Sequence, residues 1–175
     1  MEGAGMKVRE KENKDQPWIE TILNERWGGG GQVVIRGEIF DARFLPALVA
    51  GEQEGLLTFL IKQFNDVVFA EIITLDALRA GQGVGTALIE ALISKLRGEQ
   101  VSVLQVTTTN DNLNALRFYQ RRGFRITGVR PGVVNDARRI KALIPVVGEY
   151  GIPIRDEIDL ERQVQNFKEG CDFAN

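Results

Sequence analysis

The chain has 175 residues, room for one domain with a substantial core and too few for two comfortable ones. Hydrophobic residues at 43% and charged residues at 26% are ordinary for a soluble globular protein. The 22 Lys+Arg against 24 Asp+Glu leave a net charge of -2, which supplies no overall field for nucleic acid or an anionic membrane, so neither is expected as a partner.

Met1 to Gly5 reads as a loose end, and Lys7 to Glu10 as a short edge strand. A helix is expected from Asp15, a suitable N-cap, with Pro17 in its first turn and Trp18, Ile22, Leu23 and Trp27 at helical spacing. Gly28 to Gly31 stop it, and Gln32 to Arg36 carries a Val-Val-Ile run expected as a strand. Phe40 to Leu48 stays ambiguous, since Pro46 argues against a central strand there. Gly55 to Gln63 and Asp66 to Leu75 read as two strands joined by a turn at Asn65-Asp66.

A loop over Asp76 to Gly83 leads into an amphipathic helix marked by Leu88, Ile89, Leu92, Ile93 and Leu96. Val101 to Thr107 is expected as a strand, Asn112 to Arg122 as a helix closed by Gly123, and Phe124 to Val129 as another strand ended by Pro131-Gly132. Asn135 to Ala142 reads as a helix, followed by a loop punctuated by Pro145, Gly148, Gly151 and Pro153. Ile154 to Leu160 alternates apolar and charged residues as a half-exposed strand does, and Glu161 to Asn175 reads as a polar tail. No internal repeat is present, and the alternation of strand and helix from Val67 to Val129 follows a strand-rich first half.

The loop Gly81-Gln82-Gly83-Val84-Gly85 between a strand and a helix has the makings of an anion site, because the first N–H groups of a helix lack internal partners and its dipole is positive there. A P-loop would need Lys-Ser/Thr after its last glycine, and no such Lys stands near Gly85. A dinucleotide fingerprint would need a third glycine where Thr86 stands and an acid ending the next strand, which instead ends in Thr107-Thr108-Thr109.

The segment Gln82-Gly83-Val84-Gly85-Thr86-Ala87-Leu88, followed by Asn112-Leu113-Asn114-Ala115 and Phe118-Tyr119-Gln120-Arg121-Arg122-Gly123-Phe124, resembles the GNAT N-acetyltransferase superfamily. Its pyrophosphate loop has the form Arg/Gln-x-x-Gly-x-Gly/Ala, and its later helix the form Asn-x-x-Ala-x-x-x-Tyr before Gly-Phe. Gly83 and Gly85 match the first pattern; Asn112, Ala115, Tyr119, Gly123 and Phe124 match the second. The likeness extends from about Lys7 to Val129, with one departure: Ala80 occupies the Arg/Gln position and Arg79 lies one residue early.

The resemblance implies an α+β GNAT fold, a twisted mixed sheet with helices on both faces, in a single domain spanning 1–175 with its core at about 6–130 and an extension at 131–175. It implies acetyl-CoA as co-substrate, lying where two parallel strands splay, and direct transfer of acetyl to a primary amine in a ternary complex. Gly81, Gln82, Gly83, Val84, Gly85 and Thr86 would hold the pyrophosphate; the backbone of Ile73 to Leu75 would pair with pantetheine as an added strand would. Asn112 would touch the pantetheine, or cap its helix, or both. Tyr119 is the candidate general acid, with a purely packing role as the alternative. Glu71 interrupts an apolar run and is the candidate base, unless it sits on a solvated face or pairs with an Arg.

Such chemistry needs no metal, and the chain has no histidine to hold one or to build a Ser-His-Asp triad. The single Cys171 can form no internal disulfide. With a charged Met1–Asp15 segment and no apolar stretch longer than Gly55 to Ile61, a cytoplasmic protein is expected. Trp27, Arg36, Phe40 and Val133 to Ile154 are candidates to line the acceptor pocket, for a small-molecule or peptide amine. Arg138, Arg139 and Lys141 either read an acidic substrate or form a solvated helix face. A homodimer is compatible with the sequence, and a non-catalytic CoA-binding domain of the same fold is the rival reading.

Overall fold

A computed structural model describes residues 6–79 and 81–165. A short strand β1 (Val8–Glu10) precedes helix α1 (Gln16–Trp27) and a hairpin of β2 (Gln32–Ile35) and β3 (Glu38–Asp41). Then come β4 (Ala47–Ala50), β5 (Gly55–Phe64), β6 (Val67–Ala77), α2 (Val84–Arg97), β7 (Val103–Thr109), α3 (Leu113–Gln120), β8 (Arg125–Arg130), α4 (Val133–Ile140) and β9 (Glu157–Gln163). Seven strands form one sheet in the order β1-β4-β5-β6-β7-β9-β8, antiparallel except for the central β6–β7 pair.

Both faces of the first half of this sheet are covered, so β4 is buried at every position. On one face α2 sets its stripe of Leu88, Ile89, Leu92, Ile93 and Leu96 against Leu57, Ile72, Leu104 and Leu160, and α3 joins it through Tyr119. On the other, Ile19, Ile22 and Leu23 of α1 meet Val33 and Ile35 of the hairpin and Val49, Leu56 and Ile73 of the sheet. The twisted mixed sheet with helices on both faces is therefore present as expected.

Several sequence expectations needed correction. Asp15 stands at the N-cap position of α1, but its carboxylate does not cap that helix: it is buried, clamped by the Arg9 guanidinium at 2.6 and 2.8 Å, and accepts the Glu12 amide at 2.7 Å, closing the capping box of the 3-10 turn that precedes α1. The ambiguous Phe40 to Leu48 divides into the end of β3, a 3-10 turn at Ala42–Phe44 and the start of β4; Pro46 stands just before β4, where no ladder N–H is lost. The four glycines at 28–31 all have φ between +56° and +80°, a path that only glycine follows without strain.

The largest correction lies at the C-terminal end. The half-exposed strand expected over Ile154 to Leu160 is β9, displaced to Glu157–Gln163 and inserted between β7 and β8, so it continues through Glu161 to Gln163 where a polar tail was expected. Its even positions, Ile158 and Leu160, pack under α2, while Glu157, Asp159 and Glu161 point to the opposite face. Val164 is buried as well; the rest of the expected tail, with Cys171, lies outside the described residues.

Candidate functional site

The site begins with a break in the alternation of β6. Ile72 pairs with Phe59 and Thr74 with Thr58, so Ile73 is an extra, bulged residue. Ile72 and Leu75, three apart rather than two, consequently both pack towards α2, while Ile73 lies against α1. The parallel pairing of β6 with β7 ends at Ile72–Val106, although β6 runs to Ala77 and β7 to Thr109. Beyond that level the strands part. The edge of β6 from Ile73 to Ala77 faces a gap, and among the described residues no strand pairs with it on that side.

At the α2 mouth of the gap the chain turns through Gly81 and Gly83, with φ of +77° and +78°, into the N-terminus of α2. Open space stands where a side chain at either glycine would begin. A groove of about 850 Å³ here is bordered by this loop, by Gly85 and Thr86, and by four cations: Arg79, Arg117, Arg121 and Arg122. Free helix N–H groups, open glycine backbone and arginines together suit a polyphosphate. The three arginines of α3 and its end were not singled out from sequence, although Arg117, Arg121 and Arg122 sit at helical spacing beside the motif Tyr. Ala80 lies outside the described residues; Arg79 pairs with Glu54 at 2.9 Å while bordering the groove.

Two residues of the loop have work inside the protein. A Cβ at Gly85 would stand 2.8 Å from the Phe118 ring, so this glycine lets α3 close on α2. The Thr86 hydroxyl accepts from Arg122 Nε at 2.9 Å and Nη2 at 2.5 Å, while the Arg122 guanidinium stacks 3.6 Å from the Phe118 ring centroid. Gln82 is exposed, and Val84 is buried under the first turn of α2. Asn112 caps α3, its side-chain oxygen accepting the Ala115 amide at 2.9 Å.

Tyr119 is buried, edge-on to both Phe118 and Phe124, and its hydroxyl hydrogen-bonds to none of the described residues. Burial, with the nearby Asp76 carboxylate, pushes the phenol well above the usual tyrosine range, so it stays protonated. Asp76, on the β6 lip of the gap, accepts from Trp27 Nε1 at 2.9 Å; burial raises its own pKa.

Glu71 is fully buried with both oxygens engaged, one by Arg36 and the other by Lys62 at 2.9 Å. It stands opposite Gln105, where β6 and β7 are still paired. Arg36 reaches on to Thr107 Oγ1 at 3.0 Å and Asp159 at 3.2 Å, tying the hairpin to the sheet, and with Lys62, Gln105 and Asp159 it lines an open cavity of about 770 Å³. Arg138 is spent on the carbonyls of Ile144, Pro145 and Ile154. Arg139 is exposed and paired with Asp136 at 3.0 Å.

On the α1 face, over the gap, lies a pocket of about 250 Å³ between the end of α1, β2, α4 and the loop after it. Thr109, the β7 lip, lines it together with Trp27, Val33, Val134, Ile154 and Glu157. Glu157 pairs in register with Thr109 and is almost fully buried; its Oε2 accepts from Arg130 at 2.9 and 3.1 Å, and its Oε1 only from the Arg36 amide at 3.2 Å. Glu157 went unnoticed in the sequence; the acids at 157, 159 and 161 on one strand face were the available signal. Among the described residues no cluster of His, Cys, Asp or Glu is arranged to hold a metal, and no helix is long and apolar enough to cross a membrane.

A model of the acetyltransferase (GNAT) family matches residues 16–124. The Bacillus subtilis (strain 168) protein YdhI is 38% identical over 140 residues, covering 80% of this chain and 87% of its own length. Among solved structures, a Bacillus subtilis acetyltransferase in complex with CoA superposes with a TM-score of 0.64 at 16% identity, over 90% of this chain and 98% of that one. YncA from Salmonella typhimurium, solved with acetyl-CoA, gives a TM-score of 0.62 at 19% identity, over 96% of this chain and all of its own (100%).

Proposed function

Because this chain belongs to the GNAT acetyltransferase family, we propose that it moves an acetyl group from acetyl-CoA directly to a primary amine in a ternary complex. The observation that carries the reading is the gap itself: a bulged, unpaired β6 edge with a glycine-and-arginine groove at one mouth and a pocket at the other. The groove would take the pyrophosphate on Gly81, Gly83 and the first amides of α2, with Arg79, Arg117 and Arg121 adding positive charge. The edge from Ile73 to Leu75 would pair with pantetheine, and the amide nitrogen of Asn112, which makes no hydrogen bond among the described residues, would add a contact.

Bound acetyl-CoA supplies an activated thioester carbonyl. Transfer forms one C–N bond and breaks the C–S bond; nitrogen gives up one proton on the α1 side, and sulfur leaves as the CoA thiolate, which takes a proton from solvent. In this reading Tyr119 would donate a hydrogen bond to the leaving sulfur. With its pKa above that of a thiol, near 8.5, it steadies the thiolate rather than surrendering its proton outright. The amine sheds its proton on the α1 face, to Glu157 Oε1 or a water held there, since Oε1 is the less satisfied oxygen. Glu71, committed to Arg36 and Lys62, serves this reading as the residue that positions the hairpin.

The test is a thermal-unfolding titration with acetyl-CoA followed by an amine screen. At a hundredfold excess over Kd the ligand adds about 2.7 kcal/mol, a rise of roughly 5 to 10 °C for a domain this size. Tyr119→Phe should keep that shift while cutting turnover at least tenfold; a Phe variant with full turnover removes Tyr119 from the chemistry.

A further inference from the structure

The pocket over the gap carries a charge pattern that its small size makes informative. Its walls are apolar: Trp27, Val33, Val134, Ile144, Pro145 and Ile154. Three charged groups reach it, Arg26, Lys141 and Glu157. The lone carboxylate is already bound by Arg130, whereas neither cation meets a carboxylate among the described residues. Lys141 spends donors on the carbonyls of Trp27 at 2.6 Å and Gln32 at 2.5 Å, and burial lowers its pKa. Arg26 is exposed at the end of α1 and makes no ion pair among the described residues, its nearest carboxylate influence being on the buried Asp76, which already accepts from Trp27. An ammonium entering alone would meet an excess of positive charge.

Resting on the acetyltransferase reading, we infer that the acceptor is a small, apolar primary amine that also carries an acidic group, with the amine towards Glu157 and the acid answered by Arg26 and Lys141. The acid neutralises the surplus cation, and the apolar body replaces water along the valine and tryptophan walls. A volume of about 250 Å³ holds the equivalent of about eight waters, so the enclosed part of the ligand has roughly eight to twelve heavy atoms. That size and charge describe an amino acid with an apolar side chain or an apolar ω-amino acid. Polycationic amines fit neither the charge nor the walls.

The test uses pairs that differ only in the acid: phenylalanine against phenylalaninamide, leucine against leucinamide, 6-aminohexanoate against 6-aminohexanamide, with spermidine as the polycation. Each is incubated with acetyl-CoA and followed by thiol release and by the mass of the product. A charge-assisted contact predicts a kcat/KM about tenfold or more higher for at least one acid over its amide. Arg26→Gln, at an exposed position where folding is not at stake, should shrink that preference to within about threefold while the acetyl-CoA thermal shift stays the same. Amides turning over as well as acids, or turnover confined to spermidine, overturns the inference and leaves acetyl transfer standing. Acetyl-CoA binding without turnover of any amine overturns the transfer reading and this inference with it.

Discussion

Gly85→Ala separates two reasons for a glycine in a phosphate loop, because helix propensity and packing give opposite signs. Gly85 is the second residue of α2 and has no left-handed φ, so an alanine there is conformationally free and by propensity alone would stabilise by up to about 1 kcal/mol. Packing says otherwise: the new Cβ would sit 2.8 Å from one Phe118 ring atom and 3.1 Å from another, where ordinary contact starts near 3.4 Å. The ring has little room to yield, since Arg122 is stacked on it at 3.6 Å and tied to Thr86. Overpacking of this kind costs about 1–3 kcal/mol, leaving a net loss of up to about 2 kcal/mol and a Tm lower by up to roughly 8 °C. Chemical denaturation and thermal unfolding of Gly85→Ala, alone and combined with Phe118→Leu, would measure it. With the ring gone the clash is gone, and the same alanine should then stabilise by up to about 1 kcal/mol. If Gly85→Ala stabilises the wild-type background, the glycine is not there for Phe118 and the account of how α3 closes on α2 is wrong.

Three further perturbations follow from the buried charges. Arg9→Gln leaves Asp15 buried without its guanidinium and should cost about 2 kcal/mol at pH 7 by chemical denaturation, below the usual loss for a broken buried pair because Arg9 is partly solvated. Arg9 holds the Asp15 pKa far below its unfolded value, so in the wild type this stability is present above about pH 4 and lost as pH falls through the folded pKa; the variant's deficit should close on acidification. Asp76 has the opposite sign: burial raises its pKa, so its contribution falls as pH rises past the unfolded value, and Asp76→Asn should gain stability at pH 7 but not at pH 3. Glu157→Gln, which keeps the shape of the pocket's carboxylate but removes its charge, should lower kcat at least tenfold while the acetyl-CoA thermal shift is kept, whereas an unchanged kcat would return the proton to solvent.

What the sequence disclosed and what it hid divide along a physical line. Features encoded within a few residues were legible: the α2 stripe, the Gly81–Gly85 turn, the Asn112 cap followed at helical spacing by Tyr119. Each depends on local backbone preferences or on one helix face, so spacing reports it directly. The parts that escaped depend on partners distant in the chain. For Glu71 the alternative of an Arg partner was legible and is what the structure holds, but not which Arg, nor that Lys62 takes the second oxygen; the ion pair with Arg36 reaches across 35 residues to the turn of a hairpin, where Arg36 itself adopts φ +52°. The place of β9 was hidden for the same reason. Its alternation marks a strand, but its continuation through Gln163 and its insertion between β7 and β8 are fixed by pairing with strands distant in the chain.

The acids of β9 are satisfied one by one across the sheet: Glu157 by Arg130, Asp159 by Thr107 at 2.6 Å, Glu161 by Gln105 at 2.7 Å. Alternation therefore reported which residues share a face but not whether that face meets water. The consequence for function is specific. A carboxylate inside a closed network is a poor proton acceptor, because taking a proton breaks an ion pair that burial has made costly to lose. Glu71 is in that position with both oxygens, whereas Glu157 has one oxygen held only by a long, shared amide contact at the mouth of the gap. The choice between them thus turns on how completely each carboxylate is already bonded, and that follows from where β9 inserts, a tertiary fact that no window of sequence contains.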